Sequence, residues 1–229
     1  MIFAAIIASA ALTPADFEIT SLPGLATPPT FKHYSGLLPI GDGKGTELFF
    51  WFVESARSPS KDPVVFWTNG GPGASSVAYG FWTEHGPFRL QNDTAGIHPV
   101  PYDYSWNRIA NVLYVEMPSG VGFSHSASAD KYHNITDAHA AGDTYACLLK
   151  FFEVFATFKA NDLYITGESY VRSEELEARL CSKGPRNPPL LRGPRSPTFA
   201  QRTSKPNLCA SPTDQRSRSR ENRAATTCQ

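Results

Sequence analysis

Residues Pro63–Thr68 (PVVFWT) are apolar without interruption, and that continuity limits the folds open to this chain. Side chains alternate between the two faces of a strand, so an unbroken apolar run has a core on both sides. Such strands belong in sheets covered by other layers on each face. Thr46–Ser55 (TELFFWFVES), behind the Gly-rich turn Gly41–Gly45, and Ala110–Glu116 (ANVLYVE) also have strand character. Thr136–Phe155 reads as a helix, capped by Thr136 or Asp137, with Ala141, Tyr145, Leu148, Leu149, Phe152 and Phe155 on one stripe. A further strand, Leu163–Thr166, follows. Strands alternating with a helix predict an α/β layer architecture with a largely parallel sheet.

The apolar runs end in small and polar residues. Pro63–Thr68 leads into Asn69-Gly-Gly-Pro-Gly73, Ala110–Glu116 into Met117-Pro-Ser-Gly-Val-Gly122, and Leu163–Thr166 into Gly167-Glu-Ser-Tyr170. A serine on a strand-to-helix turn has the layout of a nucleophile elbow, which lifts the hydroxyl above the sheet beside the next backbone N–H. Taken singly, each feature has a plainer reading. G-x-S-x is a common tetrapeptide, Gly70–Gly73 suits any tight turn, Glu84 suits a surface carboxylate and Trp67 a core aromatic. Their combination is what carries information.

The chain has 229 residues, 41% of them hydrophobic, enough for one sizeable core. Its zero net charge conceals two kinds of chain: ten Lys/Arg against two acidic residues after Leu180, and a matching acidic excess before it. The segment 181–229 has one aromatic residue, many Pro, Ser and Arg, and no apolar period, which is the composition of a disordered tail. No aromatic interleaving or motif supports nucleic-acid binding by this basic tail. Met1–Ala11 (MIFAAIIASAA) suits a secretory signal, with 1–15 as the segment removed, and is too short to span a bilayer. Asn92 and Asn134 begin N-x-T sequons and are possible glycosylation sites. Cys147, Cys181, Cys209 and Cys228 have neither metal-ligand spacing nor the pattern of a disulfide framework, and no metal site is expected.

Four blocks stand together: Trp67–Ser76 with Glu84-His-Gly-Pro-Phe88, Tyr104-Ser-Trp-Asn107, Ala110–Ser124, and Gly167-Glu-Ser-Tyr170. In order and spacing they resemble the serine carboxypeptidases, an α/β-hydrolase family. Leu22-Pro-Gly24, Tyr34-Ser-Gly36 and Leu48–Ser55 are similar to that family's opening segment, so the resemblance runs over about residues 17–178. It implies a partial α/β-hydrolase domain at 16–180, with Ser169 as nucleophile and an oxyanion hole from the amides of Gly71 and Tyr170. It also implies that Trp67, Asn69, Glu84 and Glu168 hold the C-terminal carboxylate of a peptide. A Glu binds a carboxylate only when protonated, since like charges at one site raise a pKa. Recognition is therefore expected to be best at acidic pH, in a secreted, vacuolar or lysosomal setting. The implied reaction removes C-terminal residues from peptides or proteins through an acyl-enzyme, with no cofactor, nucleic acid or membrane involved. A carboxypeptidase-like acyltransferase, which shares every motif, is the alternative enzyme, and a non-enzymatic chain is the third reading.

The sequence also departs from the family. Ala74 stands where the family has a cysteine, so the disulfide expected there cannot form, and Val171-Arg172 replace a small Ala-Gly pair after the elbow. In this fold the order is Ser, then Asp, then His. All six histidines (His33, His85, His98, His125, His133, His139) precede Ser169, and Asp214, in the tail, is the only aspartate after it. About half of the family's length is expected to have no counterpart, and these residues alone are expected to have negligible activity.

Overall fold

The computed structural model describes residues 11–133, 135–169 and 200–202. Strands β1 (His33–Pro39), β2 (Glu47–Val53), β3 (Val64–Asn69), β6 (Asn111–Val115), β7 (Leu163–Glu168) and β8 (Ala200–Arg202) form one sheet in the order β1-β2-β6-β3-β7-β8. A separate hairpin pairs β4 (Phe88–Asp93) with β5 (Gly96–Pro101). The helices are the short α1 (Asp130–His133) and the long α2 (Asp137–Val154), and Val77–His85 forms a stretch of π-helix. The fold class is α/β, as the sequence implied, but the sheet is mixed. Its centre, β6-β3-β7, is parallel, while β1 and β2 join as an antiparallel ribbon and β8 pairs antiparallel to β7. The short Gly41–Gly45 turn makes β1 and β2 a hairpin, because it is too short for the crossover that parallel neighbours need.

The unbroken apolar strands are explained by burial on both faces. Phe50, Phe52, Val64, Phe66, Leu113, Val115, Leu163 and Ile165 point to the layer containing α2. Their neighbours Trp51, Val53, Val65, Trp67, Val112 and Tyr114 point to the opposite layer, which holds Val77, Phe81 and Phe88. The β3-to-β6 connection thus covers one face and the β6-to-β7 connection the other.

Helix α2 begins where the sequence places it, at the N-cap Thr136, whose side chain accepts the His139 N–H. Its buried stripe includes Ala141, Tyr145, Leu148 and Phe152 but also Thr144, Cys147 and Phe151, while Leu149 lies only half-buried at the margin. Phe151 meets Phe52 edge-on at 4.8 Å and stacks on Phe155 at 4.8 Å, so it is the aromatic peg between helix and sheet. At the N-terminal ends of the parallel strands, the Asn111 and Asn161 side-chain amides both donate to the Asp62 carbonyl, at 2.9 and 2.6 Å.

Leu12 packs against this core and Thr13–Asp16 form a capped turn, while the remainder of the apolar N-terminal stretch lies outside the described residues. Of 181–229, read from composition as disordered, only Ala200–Arg202 is described, and it is a strand along the β7 edge. That edge carries backbone N–H and C=O groups with ladder geometry, which pair with any extended segment regardless of its side chains. Replacing Phe151 with Ala is expected to lower unfolding stability by about 3–5 kcal/mol, read from the urea midpoint.

Candidate functional site

β3 and β7 are adjacent and parallel, and their register ends with Asn69 opposite Glu168. The two turns that follow, Gly70–Gly73 and the one at Ser169, therefore leave the same edge of the sheet from neighbouring strands about 4.8 Å apart. Each turn is conformationally unusual. Gly71 and Gly73 have φ of 110° and 111°, and a Cβ on Gly71 would come within 3.0 Å of the Gly73 nitrogen. Ser169 has φ of 61° and, among the described residues, is the only non-glycine with positive φ. Residues held in this region concentrate at sites where geometry matters more than local stability. The serine is exposed. Tyr170, assigned by resemblance to the oxyanion hole, and Val171-Arg172 lie outside the described residues.

The glycine turn is held from beneath by Glu116, at the end of β6. Its carboxylate accepts the Ser75 hydroxyl at 2.6 Å and the Ser76 N–H at 3.1 Å, and its carbonyl accepts the Ser124 hydroxyl at 2.7 Å. Gly122 lies flat on this carboxylate, where a Cβ would approach within 2.6 Å. Burial raises the Glu116 pKa, and the donors from Ser75 and Ser76 act against that rise. Ser76 continues the chain of contacts by accepting the Asn69 N–H at 3.0 Å.

Three of the four residues assigned to carboxylate recognition are directly linked. Trp67 Nε1 donates to Asn69 Oδ1 at 2.8 Å, and Asn69 Nδ2 donates to Glu84 Oε1 at 2.8 Å. The Gly80 N–H also donates to Asn69 Oδ1, at 3.1 Å, which fixes the amide so that Nδ2 faces Glu84. A side chain at Gly80 would strike Trp67, with its Cβ 2.4 Å from Nε1. Trp67 and Asn69 are buried, whereas Glu84 and Glu168 are exposed. Glu168 joins the group through the strand register beside Asn69.

The residues that sequence reasoning missed are those supporting this cluster: Glu116, Ser75, Ser76 and, above all, His85. Its ring stacks on Trp106 at 3.9 Å, meets Trp67 edge-on at 4.2 Å, and places Nδ1 3.0 Å from the Tyr114 hydroxyl. No local signal connects His85 with Tyr114, since their contact exists only once β6 and the π-helix pack together. Asn92 lies exposed on β4, and Asn134 is outside the described residues. Among the described residues, no group of three or more His, Cys, Asp or Glu could hold a metal, and no helix is long and apolar enough to cross a membrane.

Burial pushes the His85 pKa down to about 4, and the Arg89 cation adds to the effect. The folded value lies below the unfolded one of about 6.5, so the stability contributed by the neutral ring is complete above that pH and is lost as pH falls towards 4. The loss amounts to about 3 kcal/mol. Urea titrations of the parent and of His85→Gln should therefore converge by roughly that amount between pH 7 and pH 4, leaving the contributions of other groups in common.

A protein-family model described as "Serine carboxypeptidase" matches residues 23–171. Lysosomal protective protein of Mus musculus is 49% identical over 157 residues, covering 69% of this chain and 32% of that protein. Serine carboxypeptidase-like 26 of Arabidopsis thaliana is 44% identical over 155 residues, covering 67% of this chain and 34% of that protein. The crystal structure of Kex1(delta)p, a prohormone-processing carboxypeptidase from Saccharomyces cerevisiae, superposes with a TM-score of 0.61 at 24% identity, over 75% of this chain and 39% of that one. That similarity is one of fold. The chain spans about a third of the length of the curated relatives it matches, a smaller share than the half expected from sequence. With the turns after β3 and β7 brought to one end of a mixed α/β sheet and a family match across most of the described residues, this chain belongs to the serine carboxypeptidase family.

Proposed function

We propose that these residues supply the nucleophile and the carboxylate-recognition side of a serine-type carboxypeptidase site. The observation that carries the reading is the β3–β7 register, in which Asn69 and Glu168 are paired and Ser169 follows at positive φ. In the proposed reaction Ser169 Oγ attacks the carbonyl carbon of the last peptide bond. The resulting oxyanion is assigned to the amides of Gly71 and Tyr170, since a developing charge needs donors fixed in advance. The C–N bond then breaks, the C-terminal amino acid leaves with a proton, and the acyl group remains on Ser169 until water releases it.

Asn69 Nδ2, with Trp67, Glu84 and Glu168, receives the substrate's terminal carboxylate. A carboxylate beside two glutamates is bound well only when a proton is shared among them, so binding strengthens at acidic pH. This suits an acidic compartment, whether vacuolar, lysosomal or reached after secretion. The name of the mouse relative, Lysosomal protective protein, is in keeping with that setting. Glycosylation of Asn92 is compatible with its exposed place on β4. The chemistry needs no metal or cofactor.

Removal of the serine proton requires a base, and no histidine follows Ser169 in these 229 residues. Of the earlier histidines, His85 is the one built into the site, but its nitrogens face Tyr114 and Glu84. These residues by themselves therefore bind better than they turn over. A fluorophosphonate is expected to label Ser169 about 10⁴–10⁶-fold more slowly than it labels a family member with a complete triad. Labelling at the ordinary rate would show that a base is present after all. In equilibrium dialysis, N-benzoyl-Gly-Phe should be retained over its C-terminal amide at pH 5, and Asn69→Ala should reduce that preference about tenfold or more. Equal retention of acid and amide by the parent chain would remove the carboxylate-site assignment.

A further inference from the structure

His85 Nε2 is a buried polar atom with no hydrogen-bond partner among the described residues, on a side chain only 8% exposed. It lies 3.9 Å from Glu84 Oε2, while the other oxygen of that carboxylate accepts from Asn69 Nδ2 at 2.8 Å. The titratable and charged groups around the ring are Glu84 on its own helix, Tyr114 from β6 and Arg89 from β4, and the remaining neighbours are the indoles of Trp67 and Trp106.

The hydrogen-bond pattern decides which ring nitrogen carries the proton. Tyr114 is fully buried, and His85 Nδ1, at 3.0 Å, is the acceptor available to its hydroxyl. With the phenol donating to Nδ1, the imidazole proton sits on Nε2, 3.9 Å from Glu84 Oε2. In the opposite arrangement Nδ1–H donates to the phenol oxygen. The phenol proton is then left without an acceptor, and a bare Nε2 lone pair faces a carboxylate oxygen. Each arrangement leaves one buried donor unpaired before the site fills, Nε2–H in the first and the phenol O–H in the second. Only the second also sets a nitrogen lone pair against the Glu84 carboxylate, so the first is favoured.

We infer that His85 is a positioning residue for Glu84. Its Nε2–H, aimed by Tyr114, is a second donor that closes on Glu84 Oε2 when the site fills, and it fixes the carboxyl in the orientation that presents it to a ligand's C-terminal carboxylate. The gap of 3.9 Å needs to shorten by about 1 Å to become a hydrogen bond, within the reach of a rotation of the exposed Glu84 side chain. Asn69 and His85 then each occupy one lone pair of a different oxygen, with the Trp67 indole in contact with both. The outward lone pair is left to hold the proton shared with the ligand carboxylate. This inference deepens the carboxylate-site reading and rests on it for the identity of the ligand.

The test uses the full 229-residue chain with isotope-labelled histidine, as the parent and as Glu84→Gln, His85→Gln and His85→Phe. Long-range proton–nitrogen spectra at pH 6 are expected to show His85 protonated on Nε2 and bare on Nδ1. The Nε2 resonance should shift in Glu84→Gln and again when N-benzoyl-Gly-Phe is added. In binding measurements His85→Phe should cut the preference for the acid over its amide about tenfold, the worth of one hydrogen bond to a charged group. His85→Gln, whose side-chain N–H reaches the Nε2 position, should restore most of it, which a packing role alone would not. A proton on Nδ1, an Nε2 resonance indifferent to Glu84→Gln, or an unchanged preference in His85→Phe overturns the inference. If His85→Phe does not fold, the spectra of the parent and Glu84→Gln give the decision. If the parent itself does not distinguish acid from amide, the carboxylate-site reading fails, and the nitrogen resonances alone decide whether His85 holds Glu84.

Discussion

Six consecutive residue pairs lock β3 to β7, from Val64 opposite Leu163 to Asn69 opposite Glu168. Everything chemical in the molecule is measured from the last of those pairs. A slip of one residue would turn every side chain of β7 to the other face, moving Ile165 out of the α2 core and separating Glu168 from Asn69. Register is hard to slip here because both faces of β3 are buried, one under α2 and the other under the π-helix and β4. The hydrophobic layers thus do more than hold the sheet together. They set where two strained turns begin, and so which groups those turns bring side by side.

Around that edge the polar groups fall into two classes with different electrostatics. Glu116 is buried and meets its donors, Ser75 and Ser76, within the protein. It serves the glycine turn as an internal strut: loss of those donors would leave a buried carboxylate unpaired, which is costly. Glu84 and Glu168 are exposed and keep part of their hydration. The buried carboxylate shapes the turn, and in the proposed reading the exposed pair meets the ligand. His85, neutral and wedged between two indoles, lies at the border between the two classes.

Much of this was legible in the sequence, for identifiable reasons. Strands β2, β3, β6 and β7 announce themselves because a strand buried on both faces has to be continuously apolar. Helix α2 does so because Thr136 caps it and its apolar stripe is long. β1 and the β4–β5 hairpin were not anticipated. HYSGLLP and GIHPVP contain glycine and proline and owe their strand form to a partner rather than to their own composition. The antiparallel placing of β2 against β6 and of β8 against β7 is likewise a matter of long-range pairing. In the candidate site, Trp67, Asn69, Glu84 and Glu168 were named only because their motif blocks resemble a known family, and Ser169 also because it follows a strand. Glu116 and His85 escaped because their roles depend on contacts across 41 and 29 residues of chain, to Ser75 and Tyr114.

The strand Ala200–Arg202 has a consequence for how this sheet can grow. It lies antiparallel along the outer side of β7, opposite Thr166, Ile165 and Tyr164. A backbone edge takes one neighbour at a time, so a parallel strand extending the sheet beyond β7 competes for the same donors and acceptors. The two arrangements exclude each other. While the segment lies there, the backbone groups on that side of Tyr164–Thr166 are taken, and any further strand has to pair with Ala200–Arg202 instead.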